Sequence, residues 1–500
     1  MFVNTFWSLV PPIVAIGLAL LTKETYSSLF IGIVVGALLA TDFSPIGALD
    51  TIINDGLTAA IADNAGIFLF LVILGVMVAL VNATGGSAAF GRWAASHIHS
   101  KAGALLATFA LGVLIFIDDY FNCLTVGSVM TPVTDSQKIS RVKLAYLIDA
   151  TAAPICMIAP ISSWAAAVSG VAAKLDTGVS GIQLFIEAIP YNFYSLLTIV
   201  FVITMVVLGV DYGPMAAAEL KAAQTGDLGA LSEEQEEGSS RANMWDMLIP
   251  IILLIIFCVI GLIYVGGFWD PETNAGDFIA AFGDTDAFVG LPWGALIALV
   301  LSIIYLCARR VITFKGAMGC MTKGFNAMVP AILILTFAVS LKSMTGLLGA
   351  ADYVEGLMKQ ASEGLFMLLP AIIFVVACLL AFATGTSWGT FGILIPIVLP
   401  IFNAAPDLQI MGISACLAGA VCGDHCSPIS DTTIMASAGA NCNHIDHVST
   451  QIPYAVTVAA ICFVNYILAA FIRNVVISLA IGVVMVIGTL LVIRSVQSRK

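Results

Sequence analysis

Apolar stretches long enough to cross a lipid bilayer recur along this chain, and they limit its fold more than any other feature. A spanning helix needs ~20 mostly apolar residues, because a rise of ~1.5 Å per residue must cover a ~30 Å hydrocarbon core. Runs near residues 6–22, 26–41, 64–82, 183–210, 245–265, 291–308, 328–345, 450–472 and 474–494 meet or approach that length. In hydrocarbon, backbone amides must find partners within the protein, which leaves helices or closed barrels, and runs of this length select helices. Composition agrees: 60% of the residues are hydrophobic and 10% are charged, so the solvent of this chain is mainly lipid. The expected fold class is an all-α polytopic membrane protein.

The same numbers remove other readings. The net charge of −12 says little about partners, because ten of the 31 acids lie in two local stretches, Asp227 to Glu237 and Asp270 to Asp286. These read as solvated loops, and no nucleic-acid partner is expected. Eleven cysteines scattered through apolar spans give no disulfide framework and read as small buried hydrophobes. The first apolar run begins near Phe6 with no basic segment before it and contains Pro11-Pro12, unlike a secretory signal.

Four segments do not read as one clean crossing. Gly103 to Ile117 is apolar but short, meets Asp118-Asp119-Tyr120-Phe121-Asn122, and a second short arm then runs to Pro132. That outlines a re-entrant hairpin with a polar tip. Val142 to Leu175 is too long for one span and is interrupted by Pro154, Pro160 and Ile161-Ser162-Ser163, which predicts a broken helix. The second half repeats the order. Leu365 to Ala383, Thr384-Gly385-Thr386-Ser387 and Trp388 to Pro400 form a second hairpin, and Gln409 to Ala440 a second broken helix. A shift of 268 residues places Gly56 on Gly324, Pro132 on Pro400, Gln183 on Gln451, and Pro160-Ile161-Ser162 on Pro428-Ile429-Ser430. Two inverted repeats are therefore expected, residues 1–210 and 245–472, with an acidic cytoplasmic linker over 211–244 and an added helix and tail over 473–500.

Charge placement supports that topology. Fifteen of the 19 basic residues fall on one side of it, leaving Lys174, Lys342, Lys359 and Arg473 on or near the other. The basic side is cytoplasmic by the positive-inside rule, which puts the N-terminus outside and the C-terminus inside. Lys101 and Lys138 to Lys143 flank the first hairpin on the same side, as re-entry requires. Trp7, Trp93, Trp245, Trp269 and Trp293 read as interfacial anchors.

Ionisable residues within a membrane are costly and mark function. Broken helices near the midplane expose carbonyls and helix ends that coordinate ions, and Na+ prefers oxygen ligands. The two tips and two breaks supply them: Asp118, Asp119 and Asn122; Ser162 and Ser163; Thr384, Thr386 and Ser387; Asp424, Ser427, Ser430, Asp431 and Thr432. Thr151 and Asp149 lie just ahead of the first break. Na+ is expected at a subset of these residues. A desolvated carboxylate also carries protons, so Asp431, Asp119, Asp118, Asp424 and Asp149 are the proton-carrier candidates, and one carboxylate could exchange H+ for a cation by competition. No cofactor is expected beyond the transported ions, Na+ and H+.

Gly423-Asp424-His425-Cys426-Ser427-Pro428-Ile429-Ser430-Asp431-Thr432-Thr433, with Asn443-His444-Ile445-Asp446-His447 and Gln451-Ile452-Pro453-Tyr454, resembles the signature region of the NhaC-type Na+/H+ antiporter family. Ile117 to Asn122, Lys143-Leu144-Ala145-Tyr146, Ala153-Pro154 and Ile161-Ser162-Ser163-Trp164 are similar to that family too. The resemblance implies membership of the wider ion transporter superfamily, with paired re-entrant hairpins and inverted repeats. It also implies Na+/H+ exchange by alternating access across a bacterial or archaeal cytoplasmic membrane. It leaves open a Na+- or H+-coupled exchanger or symporter of a small organic acid or amino acid. A homodimer is compatible with either.

Blander roles compete for several of these residues. Asp424 and Asp431 could simply cap the broken helix ends. Cys422, His425 and Cys426 match metal spacing only loosely. His444 and His447 could form a solvated helix start beside Asp446, or sense pH. An intramembrane enzyme is not expected: there is no H-E-x-x-H zinc motif.

Overall fold

The computed structural model describes residues 2–497 except 23, 87–88, 90–92, 94–96, 99, 117–118, 160–161, 163, 166–167, 169–180, 232–240, 351, 354–365 and 402–405. Among the described residues the fold is all-helical, and the extended pairing is confined to an isolated bridge between Ala230 and Cys442.

A 3-10 turn over Phe6–Leu9 leads into α1 (Val10–Thr22), followed by α2 (Thr25–Ala40) and α3 (Ala65–Thr84). Glu24 caps α2 by accepting from the Tyr26 and Ser27 backbone amides. Helices α4 (Lys101–Leu114) and α5 (Asp119–Ser136) form the first hairpin, and α6 (Arg141–Thr151) follows. At 14 residues and ~1.5 Å per residue, α4 reaches only ~21 Å, too short to span. Next come α7 (Phe193–Leu208), α8 (Gly213–Thr225), α9 (Trp245–Val265), α10 (Ala287–Ala308) and α11 (Phe314–Leu347). The second hairpin is α12 (Leu369–Thr384) with α13 (Ser387–Ile401), and the second broken helix is α14 (Pro406–Cys426) with α15 (Asp431–Gly439). The chain closes with α16 (His444–Ile472) and α17 (Val475–Gln497).

The spans expected at 245–265, 291–308, 450–472 and 474–494 fall in helices long and apolar enough to cross a membrane. Several such helices with broken pairs between them make the chain a multi-pass membrane protein, and all five anchor tryptophans are exposed. Two expectations change. Residues 183–210 are not one rod: the helical segments on either side of Asn192 meet at 46°. Pro190 has no N–H to continue the ladder, and Asn192 starts a new helix by accepting from the Ser195 amide. The 328–345 run is part of a 34-residue helix that exceeds a bilayer's thickness.

Helices approach closely where side chains vanish, as membrane packing favours. A Cβ added to Gly127 of α5 would lie 2.4 Å from the Gly439 carbonyl of α15. One added to Gly423 of α14 would lie 2.1 Å from the Cys378 carbonyl of α12. These contacts draw the two hairpins onto the second broken helix.

Candidate ion site

The second break is written locally. Pro428 cannot donate a backbone hydrogen bond, and Ser430 caps the new helix by accepting from the Thr433 amide at 3.3 Å. The Ser427 hydroxyl donates to the Phe382 carbonyl at 2.8 Å, pinning the break to α12. Helices α14 and α15 meet there at 50°, leaving the last carbonyls of one and the first amides of the other without intrahelical partners.

Asp424, in the last turn of α14, is buried. Its Oδ2 accepts from the Ser387 hydroxyl at 2.6 Å and the Thr432 hydroxyl at 3.4 Å, whereas its Oδ1 is buried with no hydrogen-bond partner. Ser430 Oγ lies 3.0 Å from Thr432 Oγ1. Asp431 begins α15, where the helix dipole favours an anion. It accepts from its neighbour's amide, Thr432 N, at 2.9 Å and from the Tyr120 hydroxyl of α5. The second hairpin delivers Ser387 because Gly385 turns the chain at φ +64°, with the Ile429 carbonyl 2.5 Å from where its Cβ would be. Of the other tip residues, Thr384 donates back to the Leu380 carbonyl at 2.8 Å, and Thr386 caps α13 through the Gly389 amide at 3.3 Å.

The first half is arranged differently. Asp119 is buried; its Oδ2 accepts from the Trp164 indole at 3.0 Å. The Asn122 amide donates to the carbonyls of Gly112 (2.6 Å), Ile115 (2.9 Å) and Thr151 (3.0 Å). Thr151 donates to its own helix, to the Leu147 carbonyl at 2.8 Å, so its hydroxyl hydrogen serves the backbone. Helix α6 yields at Ala152 (φ −84°, ψ −100°), earlier than Pro154 and Pro160 suggest. Ser162 donates to the Cys156 carbonyl at 2.7 Å and accepts from the Ala165 amide, as a cap does. Asp118 and Ser163 lie outside the described residues.

Asp149 belongs to a separate buried cluster. Gln451 Nε2 donates to its Oδ2 at 2.8 Å, His447 Nε2 lies 3.4 Å away, and His425 Nε2 lies 3.9 Å away. His447 is fully buried and His444 nearly so, which corrects the solvated helix start. His444 approaches the Pro428 carbonyl at 2.7 Å and Ser437 Oγ at 3.0 Å, tying α16 to the break. Among the described residues no group of His, Cys, Asp or Glu forms a metal-holding cluster.

Of the residues that sequence reasoning assigned to one site, the structure brings Asp424, Ser387, Thr432 and Ser430 together; Asp431 faces Tyr120 instead, and Asn122, Thr151, Ser162, Thr384 and Ser427 bond to backbone. Sequence reasoning missed Tyr120, Trp164 and Gln451 as partners of the carboxylates, although each lies within or beside a segment it had singled out. Chemically, an uncompensated buried carboxylate oxygen is expensive. A proton or a cation at Asp424 removes that penalty, and the hydroxyls around it supply further oxygen ligands.

Comparison with known proteins shows the family to which the chain belongs. Residues 155–471 match the Na+/H+ antiporter family. An uncharacterized protein of Haemophilus influenzae is 37% identical over 486 residues, 94% of this chain and 92% of the relative. The arginine/ornithine antiporter ArcD of Halobacterium salinarum is 26% identical over 239 residues, 47% of this chain and 44% of that one. The malate-2H(+)/Na(+)-lactate antiporter of Bacillus subtilis is 26% identical over 198 residues, 39% and 42% of the two chains. The matched family and the two named relatives are transporters, not enzymes, and this chain belongs to the Na+/H+ antiporter family.

Proposed function

We propose that this protein exchanges Na+ for H+ across the cytoplasmic membrane by alternating access, with the cation held at the break between α14 and α15. One observation carries the reading: Asp424 has a buried carboxylate oxygen with no partner, beside the Ser387, Thr432 and Ser430 hydroxyls. Among the described residues no lysine or arginine contacts Asp424 to neutralise it. Asp431, next along the break, is the second carrier in this scheme. In proteoliposomes loaded with a pH dye, an imposed Na+ gradient is expected to move protons with no organic solute present. Asp431→Asn is expected to abolish that movement while the protein stays folded. Wild-type exchange in this variant would remove Asp431 from the carrier role.

A second reading, coupled exchange of a small organic acid or amino acid, has its own support. That support is the pair of named relatives, an arginine/ornithine antiporter and a malate/lactate antiporter, each matched over less than half of this chain. Silence in the Na+ assay together with uptake of labelled malate or arginine would promote it.

The inverted-repeat topology belongs to the same proposal. It is supported by packing: α4 meets α6 where Asn122 joins Gly112 to Thr151, and α12 meets α14 at Gly423 and Cys378. Each hairpin thus lies on the first half of the broken helix that follows it. In this arrangement 1–210 and 245–472 are the repeats, the N-terminus is outside and the C-terminus cytoplasmic. Cysteine labelling of the two termini in right-side-out vesicles checks the orientation.

A further inference from the structure

We infer that Asp149 and His447 form a proton-binding site separate from the carboxylates at the helix break. Its part in coupling rests on the antiport reading above; the site itself rests on geometry.

Asp149 lies on α6 and His447 on α16, both 1% exposed or less. His447 Nε2 approaches Asp149 Oδ2 to 3.4 Å, and its Nδ1 is buried without a hydrogen-bond partner. One helical turn on, Gln451 donates to the same carboxylate oxygen at 2.8 Å. From α14, His425 presents Nε2 at 3.9 Å, while its Nδ1 meets the Tyr194 hydroxyl of α7 at 2.7 Å and its ring stacks on Tyr146 of α6. Asp424, next to His425 in sequence, is a second buried acid close to this cluster. The basic residues of α6 are engaged elsewhere: Lys143 with Asp211 at 2.6 Å, and Arg141 with Asp135 at 2.8 Å and the Ala440 carbonyl at 2.7 Å.

A carboxylate buried this way without a fixed counter-charge carries a large desolvation penalty. One proton removes it, whether held by Asp149 or shared with the imidazole of His447. Na+ is a poor substitute, because what faces the carboxylate is imidazole nitrogen and an amide NH2 group rather than a shell of oxygens. The same Gln451 amide also donates to the His425 carbonyl, in the last turn of α14 beside Asp424. A change of charge at Asp149 is therefore felt at the end of the helix that presents the cation site. Proton and cation then occupy different sites, and their exchange is coupled through α14 instead of by competition for one carboxylate.

The test compares radioactive Na+ self-exchange at equal pH with Na+ movement driven by a pH gradient, in proteoliposomes of wild type, His447→Gln, Asp149→Asn and Asp424→Asn. The first two variants are expected to keep self-exchange within about threefold of wild type and to lose the response to the gradient about tenfold or more; Asp424→Asn loses both. A wild-type response to the gradient in His447→Gln overturns the inference. Gel filtration in detergent reports folding, and if Asp149→Asn fails to fold, His447→Gln carries the test. If wild type moves no Na+, the antiport reading fails by itself, and infrared titration of the purified protein then reads the proton site. A pH-dependent carboxyl or imidazolium band that vanishes in Asp149→Asn and shifts its pH dependence in His447→Gln supports the inference; carboxyl and imidazolium bands that titrate as in wild type in both variants overturn it.

Discussion

The two hairpin tips draw on similar polar residues and use them in opposite ways. At the first, Asn122 gathers three backbone carbonyls, Thr151 bonds within its own helix, and Asp119 is held by the Trp164 indole. At the second, Ser387 gives its hydroxyl to Asp424, whose other oxygen stays unpartnered. The first tip closes on backbone through Asn122 while its Tyr120 reaches Asp431; the second gives Ser387 to a carboxylate that keeps one oxygen unpartnered. Similar composition therefore does not mean similar duty, and where the hydrogen bonds go separates the two.

The largest effect on binding is expected from Asp424→Asn. Asparagine can still accept from Ser387, so the fold should hold, but the charge that draws a cation is gone. A loss of about 3 kcal/mol, or ~100-fold in Na+ affinity, is the expected scale, read from the Na+-dependent shift in melting temperature. Asn122→Ala should show the reverse signature. Three buried carbonyls lose their donor, at a cost of about 1–3 kcal/mol of stability, while Na+ affinity per folded molecule stays near wild type. An Asn122→Ala protein that melts normally but binds Na+ as poorly as Asp424→Asn would erase the distinction between the tips.

What the sequence made legible follows from how local each signal is. Helix α9 lies where an apolar run predicts it because that run extends from Trp245 to the glycines at 266 and 267. The break at 427–430 is legible because Pro428 and Ser430 are themselves the stop and the cap. The bend at 190–192 hides inside an apolar run, since mean hydropathy weighs Pro190 lightly although its missing N–H interrupts the ladder. The yield at Ala152 is legible in kind but displaced: Pro154 lacks an N–H and crowds the Ala150 carbonyl, so the helix gives way two residues before the proline that marks it. The partners of the carboxylates are the least legible. Tyr120 meets Asp431 across 311 residues, and Gln451 meets Asp149 across 302. No spacing rule reaches that far, so His447 reads as interfacial by position when it is among the most buried groups in the chain.

The smallest predicted effect sharpens the comparison within one motif. Thr386 and Ser430 are both helix caps, at the starts of α13 and α15, each accepting one backbone amide at 3.3 Å. Replacing either by alanine should lower stability by about 0.5–2 kcal/mol, the ordinary value of a cap. Only Ser430 also lies 3.0 Å from the Thr432 hydroxyl, which in turn donates to Asp424. Ser430→Ala should therefore weaken Na+ binding by a few fold beyond its effect on folding, while Thr386→Ala should leave it unchanged. Melting curves with and without Na+ separate the two quantities. Equal Na+ shifts in both variants would reduce Ser430 to a cap and confine the ion site to Asp424, Ser387 and Thr432.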